Sequence, residues 1–250
     1  VVGDTYISVL DILDLALARE LDRDLVAVMA IVRRPLASVL ALPPVQRPRV
    51  LLGRRGGGPG LPSDEAVLDT VVAGDGGDPA KVERVSIGFN AVASLLGGEV
   101  AGATAFWNVE GLALQRERPE ARIFRVDDFG APRYPELVLT VTRETLQDRP
   151  AEVRATVAAL VRGYERTLAE PESAASTLID ATQGLERETV LAQLEAVEPS
   201  FRAGGRVGEL DPAALREWAG WEAEVGITAQ PPEVELMFDG GFVPSDTEAG

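Results

Sequence analysis

Four short stretches hold the residue types that could recognise a small molecule. Residues 105–111 read AFWNVEG, setting Trp107 beside Asn108 and Glu110 after the small run Gly102-Ala103-Thr104-Ala105. A bulky aromatic followed by an amide and a carboxylate suits a strand end, where a flat ring can stack and its polar edge can be read. A core tryptophan with solvated neighbours is the plainer alternative. Residues 88–90, GFN, place Phe89 and Asn90 where a strand gives way to a helix, the usual site of ligand groups in open α/β sheets, although Asn90 could equally cap that helix. Tyr134-Pro135-Glu136 adds another aromatic and carboxylate. Together Trp107, Tyr134 and Phe89 offer aromatic faces, and Asn90, Asn108, Glu110 and Glu136 offer polar contacts for a planar, amine-bearing ring. Such a set suits binding better than catalysis.

The fourth stretch, PGLPSDEA at 59–66, is Gly-rich and opens a helix, so its backbone N–H groups could hold an anion. It lacks the Gly-Lys-Ser/Thr of a phosphate-binding loop, and Asp64 and Glu65 would repel phosphate. Ser63 and Asp64 therefore stand either as ligand contacts or as a helix cap with acidic residues that complement the helix dipole.

Much chemistry is excluded by what the chain omits. It has no Cys and no His, which removes thiolate nucleophiles, Ser-His relays and most zinc or iron sites. No catalytic residue, cofactor or metal is expected. With a formal charge of -16 and Lys81 the only lysine, no basic stripe exists to engage nucleic acid or an anionic membrane. No apolar run approaches the roughly 20 residues that span a bilayer. Absence of Cys fits either a reducing or an oxidising compartment. The chain starts at Val1 without an initiator Met or a signal-peptide pattern, so its natural N-terminus is expected upstream.

Several elements must position these residues. Helical spacing over 11–21 (Ile12, Leu15, Leu17, Leu21) predicts an opening helix, and the unbroken apolar run 25–32 predicts a strand buried on both faces. Ser38 to Leu42 reads as a second strand, ended by Pro43-Pro44. From Pro43 to Pro62 the chain is rich in Pro, Gly and Arg, with a strand at Val50 to Leu52 weakened by Gly56-Gly57-Gly58. A helix from Ser63 closed by Gly74, a strand at 82–87, a short helix at 90–96 and a small-residue strand at 101–106 follow. A helix after Glu110 and strands at 121–126 and 137–141 complete an α/β pattern. Beyond them the chain turns helical: Asp148 reads as an N-cap for a helix with Val153, Val157, Leu160, Tyr164 and Leu168 on one face. Helices are also expected near 172–181, 186–194 and 212–224, before a loose tail after Phe238.

The stretches GDTYIS, VRRPLASVLAL, GPGLPSDEAVLDT, VSIGFNAVASLLGGEV, AFWNVEG and YPELVLTVTRETL occur in the order found in one family. From about Asp4 to about Phe242 the chain resembles the periplasmic solute-binding proteins of ABC importers in the thiamine-pyrimidine-precursor branch, relatives of the sulfonate and nitrate binders. The resemblance implies an α/β fold of two lobes, the type II periplasmic-binding arrangement, with a ligand cleft between them. Lobe I would comprise 1–43 and 137–250 and lobe II 44–136, with crossings near Leu42 to Val45 and Tyr134 to Leu137. Implied ligand contacts are Trp107, Asn90, Tyr134, Glu110, Asn108, Phe89, Ser63, Asp64, Tyr6 and Ser8.

The chain also departs from that pattern. Family members carry a strand and helix ahead of the GDTYIS equivalent, and this chain has neither. Val9 and Leu10 stand where an aromatic and then a Pro are common, and Gly56-Gly57-Gly58 replaces an apolar strand, which should cost stability because Gly has no side chain to pack.

The function implied is capture of a small planar heterocycle, such as an aminopyrimidine thiamine precursor, outside the cytoplasm and its delivery to permease subunits. Such a protein is expected to be monomeric and to meet the membrane only through a lipid anchor or signal sequence that this chain lacks. Riboflavin, or a sulfonate or nitrate type of solute, is the alternative ligand. A rival within the same fold is a pyrimidine synthase that consumes its own histidine and uses a lysine-bound pyridoxal phosphate. This chain has no His to give, and Lys81 lies in a polar stretch away from the ligand motifs.

Overall fold

A computed structural model describes residues 5–245. Contacts divide the chain into two compact units. The first comprises the residues up to Arg34, Tyr134–Ala219 and those from Pro232; the second comprises Pro35–Arg133 and Gly220–Pro231.

The first unit begins with β1 (Ile7–Asp11), α1 (Ile12–Glu20) and β2 (Leu25–Val32). The second contains β3 (Ala37–Ala41), β4 (Arg55–Gly58), α2 (Pro62–Gly74), β5 (Glu83–Ser86), α3 (Ala91–Leu96), β6 (Gly102–Phe106), α4 (Leu112–Glu117) and β7 (Arg122–Arg125). The chain then returns to the first unit with β8 (Leu137–Thr142), α5 (Arg143–Asp148), α6 (Pro150–Ala169), α7 (Pro171–Ala181) and α8 (Arg187–Arg202). Next come α9 (Pro212–Glu224), which runs on from the first unit into residues of the second at Gly220, and α10 (Val234–Met237). The expected mixed α/β architecture is present. Ala37–Ala41, assigned to lobe I by resemblance, pairs with β6 and β7 of the second unit, so the chain passes between units after Arg34.

In the first unit β8 lies between β1 and β2, antiparallel to both. β2 is an edge strand although nearly all of it is buried. Its outer edge is covered rather than bare, which is how an apolar edge escapes intermolecular pairing. The Asp239 N–H donates to the Ala27 carbonyl at 2.9 Å, Ala30 N–H to Gly208 at 2.9 Å, and Arg33 N–H to Ser200 at 2.8 Å. The described stretch 239–245 is thus no loose tail. It closes the sheet edge, and Phe242 joins the core with Val28, Met29, Leu139, Val141 and the Val153-Val157-Val161 stripe of α6.

The second unit holds a five-stranded sheet in the order β5-β4-β6-β3-β7. β4 is parallel to β5 and β6, whereas β3 runs antiparallel to β6 and β7. The carboxyl ends of β4, β5, β6 and β7 therefore share one edge with the amino end of β3. Leu40, Ile87, Leu95, Val100, Ala103 and Leu114 form its core.

Several local expectations need correction. Ile7–Asp11 is a strand, because its backbone pairs with β8, a partner too distant in sequence to read from local spacing. Val50 to Leu52 is no strand; Pro48–Leu51 is a 3₁₀ turn that buries Leu51. The strand is the glycine run itself, packed so tightly that no other residue fits unchanged. A Cβ on Gly56 would lie 2.9 Å from Leu68 and Val82 side-chain atoms, and one on Gly57 would lie 2.8 Å from Ile87. Gly74 is the last residue of α2, where a Cβ would stand 2.0 Å from the Phe129 carbonyl oxygen. Asp148 caps nothing: it ends α5, whose own cap is Thr142, with Oγ1 accepting from Thr145 N–H at 3.1 Å.

Candidate functional site

Three of the four ligand motifs leave the same edge of the second unit's sheet, the carboxyl edge at which open α/β sheets hold ligands. β4 delivers the Pro59–Leu61 turn and the start of α2; β5 delivers residues 87–90; β6 delivers 107–111. This arrangement follows from the parallel run of β4, β5 and β6, which no single motif could announce.

At the first of these ends, Ser63 is not a cap. Pro62 is the first helical residue and Leu61 occupies the cap position, where its N–H donates to Asp64 Oδ2 at 3.3 Å. Asp64 and Ser63 stay half-buried on the first turn. At the second end, Asn90 precedes α3 without a side-chain cap; its Nδ2 donates to the Ile87 carbonyl at 3.1 Å. Phe89, expected to offer an aromatic face, is 87% exposed.

At the third end, residues Trp107–Gly111 form a wide π-helical turn before α4, a geometry frequent at functional sites. Trp107 is buried, its backbone N–H donating to Leu36 and its indole Nε1–H to the Pro35 carbonyl, both at 3.0 Å. The Arg125 guanidinium lies over the indole, 3.9 Å from the ring centroid. One indole face is therefore covered, and Trp107 anchors the turn rather than presenting an open platform. Glu110 folds back to accept the Phe106 N–H at 3.2 Å. Asn108 is 7% exposed and its Oδ1 has no hydrogen-bond partner. Leaving a buried polar oxygen unpaired costs about 1–3 kcal/mol, a cost that a ligand donor at that position would remove.

The remaining predicted residues belong to the first unit. Tyr6 lies ahead of β1 beneath the Arg149 guanidinium, 4.2 Å from the ring centroid, and Ser8 Oγ is 3.1 Å from Thr140 Oγ1. Tyr134 is fully buried near the opposite end of the same ladder, where Asp11 pairs with Leu137. Five strand residues span about 17 Å, so one small ring cannot touch both Tyr6 and Tyr134. The Tyr134 end is also the one at which the chain leaves the unit after Arg34.

That end carries a group the sequence motifs missed. Asp11 caps α1, accepting the Leu13 N–H at 2.8 Å, while Ile12 N–H donates to the Glu136 carbonyl at 3.1 Å. Asp11 is partly exposed as a residue, but its carboxyl is densely surrounded by protein atoms. That burial first, and the Glu136 charge second, hold its titration well above the ordinary carboxylate range, against the opposing hydrogen bond from Leu13. An Asp directly ahead of an apolar helical run was the available signal. Among the described residues no group of three or more acidic, His or Cys side chains could hold a metal ion, and no helix is long and apolar enough to cross a membrane.

Comparison with known proteins adds a family and a fold. Residues 3–174 match the family model described as NMT1/THI5 like. A formylaminopyrimidine-binding protein of Halalkalibacterium halodurans is 33% identical over 209 residues, which cover 78% of this chain and 63% of that protein. The chain thus spans less than two thirds of that relative's length. Among solved structures, the periplasmic aliphatic sulphonate binding protein SsuA of Escherichia coli superposes with a TM-score of 0.75 at 15% identity, over 94% of this chain and 75% of that one. The desulfurization enzyme DSZB does so with a TM-score of 0.62 at 13% identity, over 98% and 86%. Likeness at such identity establishes the fold alone.

Proposed function

The chain belongs to the NMT1/THI5-like family, and from that premise we propose that it captures a small planar, amine-bearing heterocycle for an importer. The ligand class is an aminopyrimidine of the thiamine-precursor type. The protein acts outside the cytoplasm as a monomer and hands its ligand to permease subunits. Support for the ligand comes from the relative named a formylaminopyrimidine-binding protein, and support for the location from the periplasmic neighbour.

Asn108 is the observation that carries this reading. A primary amide accepts at one atom and donates at the other, matching the alternating donor and acceptor edge of an aminopyrimidine. Around it, Phe89 supplies an exposed ring at the same sheet edge, and Asn90, Glu110, Ser63 and Asp64 supply polar groups. Trp107 and Arg125 hold the π-helical turn in place.

The fold is shared with an enzyme, so the case for binding without turnover rests on side chains. Lys81, the sole lysine, sits in a 3₁₀ turn ahead of β5, at the strand end opposite the candidate edge. It pairs with Asp78 at 3.4 Å. No aldimine at the candidate edge can be built on it. A sulfonate is disfavoured by Asp64 and Glu65 on the first turn of α2.

Isothermal titration with aminopyrimidines, riboflavin, alkanesulfonates and nitrate tests the reading. Heat from the aminopyrimidine, lost in Asn108→Leu, is the expected result. Binding of the anions alone would overturn it.

A further inference from the structure

The edge of the second unit's sheet opposite the candidate site carries a groove of its own, and we infer that this groove binds a small organic anion with an apolar body, of the class of a short-chain carboxylate. It is formed by the segment leaving β3 (Leu42, Val45) and those entering β4 (Arg54), β6 (Val100) and β7 (Arg118, Glu120), with the end of α3 at 95–98 as one wall. The groove is open along its length, and its volume is about 420 Å³. Clefts that hold small organic molecules run from roughly 300 to 1,000 Å³. Val45, Leu95 and Val100 are buried beneath it, while Leu96 keeps 39% of its surface exposed. An apolar body gains by displacing water from such a surface.

Charge in the lining comes from Arg54, Arg118 and Glu120, and these differ in what already satisfies them. Arg118 pairs with Glu120 at 3.4 Å, so that end of the groove is nearly neutral. Among the described residues the Arg54 side chain has no hydrogen bond, ion pair or ring contact, although the chain holds 40 acidic residues against 24 basic ones. A guanidinium left open beside an apolar floor offers its planar fork to a carboxylate. The α3 wall adds no competing donor, because the Gly97 and Gly98 N–H groups already donate to the Ala93 and Leu95 carbonyls at 2.8 and 3.1 Å. Carbonyls at that helix end carry partial negative charge. The anion therefore seats at Arg54, and its apolar body lies toward Leu96 and Val100.

The test follows hexanoate, acetate and hexylammonium by ligand-observed NMR titration at low salt, in the wild type, Arg54→Glu and Leu96→Ser, with a melting temperature for each. Both residues are exposed, so neither variant should melt early. Arg54→Gln removes the same charge without adding another and serves if Arg54→Glu does not fold. The wild type is expected to bind hexanoate and not hexylammonium. Acetate should bind at least tenfold more weakly, since each buried methylene tightens binding by up to about fourfold. Arg54→Glu should weaken hexanoate about tenfold or more and gain hexylammonium. Leu96→Ser should weaken hexanoate about threefold to tenfold and leave acetate unchanged. Hexanoate binding that survives loss of the Arg54 charge, hexylammonium binding as tight as hexanoate in the wild type, or no hexanoate binding at all would overturn the site. Each of those results leaves the aminopyrimidine reading standing, because that reading is tested at Asn108 on the other edge of the sheet.

Discussion

The carboxyl of Asp11 faces that of Glu136, and the two share the interior of the first unit where β1 turns into α1. Burial and mutual repulsion hold Asp11 in its protonated form far above the usual range. Asp14, one helical turn on, is also raised by burial. A group whose folded titration lies above its unfolded value contributes stability that is present at low pH and lost as pH rises through the folded value. Urea denaturation over a pH series should therefore show stability falling from the ordinary carboxylate range upward. Asp11→Asn keeps an equally good helix cap and removes the charge, so it should flatten that decline and raise the melting temperature at pH 8 by roughly 2–4 °C. A decline of unchanged slope in the variant would sink this account.

Trp107 should behave as a structural anchor. Trp107→Phe keeps a ring under Arg125 but leaves the Pro35 carbonyl without its donor, for a loss of about 1–3 kcal/mol. Trp107→Ala also empties the ring's space, and roughly 3–5 kcal/mol should go. Chemical denaturation measures both. A Phe variant as stable as the wild type would show that the indole N–H contributes nothing.

Two glycines in helices should respond with opposite sign to the same change. In Gly74→Ala the new methyl meets the Phe129 backbone oxygen at 2.0 Å, which rigid backbone cannot easily yield, so we expect destabilisation of roughly 2–4 kcal/mol. Gly163, inside α6, has nothing within 4 Å of its would-be Cβ. Gly163→Ala should stabilise by about 0.5–1 kcal/mol through helix propensity alone. Paired thermal melts decide the matter.

Tyr164 on α6 packs edge-on against Phe201 of α8, with ring centroids 4.8 Å apart. Burial pushes its hydroxyl up to about 12. Ultraviolet titration of the phenolates should include the Tyr164 hydroxyl ionising that late, and stability should fall between the free value and about 12. Phe201→Ala admits water and should bring the late phenolate down.

What the sequence disclosed follows the range of the physics involved. β2 and α6 were legible because an unbroken apolar run and the helical spacing of Val153, Val157, Leu160, Tyr164 and Leu168 are local patterns. β1 was not, since a five-residue strand ahead of a helix is fixed by pairing with β8 alone. The glycine strand was misread as a weak point because the side chains that fill its space come from α2, Val82, Ile87 and Val100. For the site, residue types gave the three loops but not the shared edge, which depends on strand direction. Nor could composition reveal that Arg125 covers Trp107, that Tyr6 and Tyr134 lie far apart along one ladder, or that Asp11 meets Glu136.

Ser8 and Thr140 touch although 132 residues separate them. The second unit's sheet, by contrast, draws all five strands from Ala37–Arg125. During synthesis that sheet can close while β1 and β2 are still waiting for the central strand that joins them. β1 and β2 are thus made before the middle of the chain yet gain their hydrogen bonds after it, and a ribosome stalled before Leu137 should yield a protease-resistant middle with a digestible segment ahead of it.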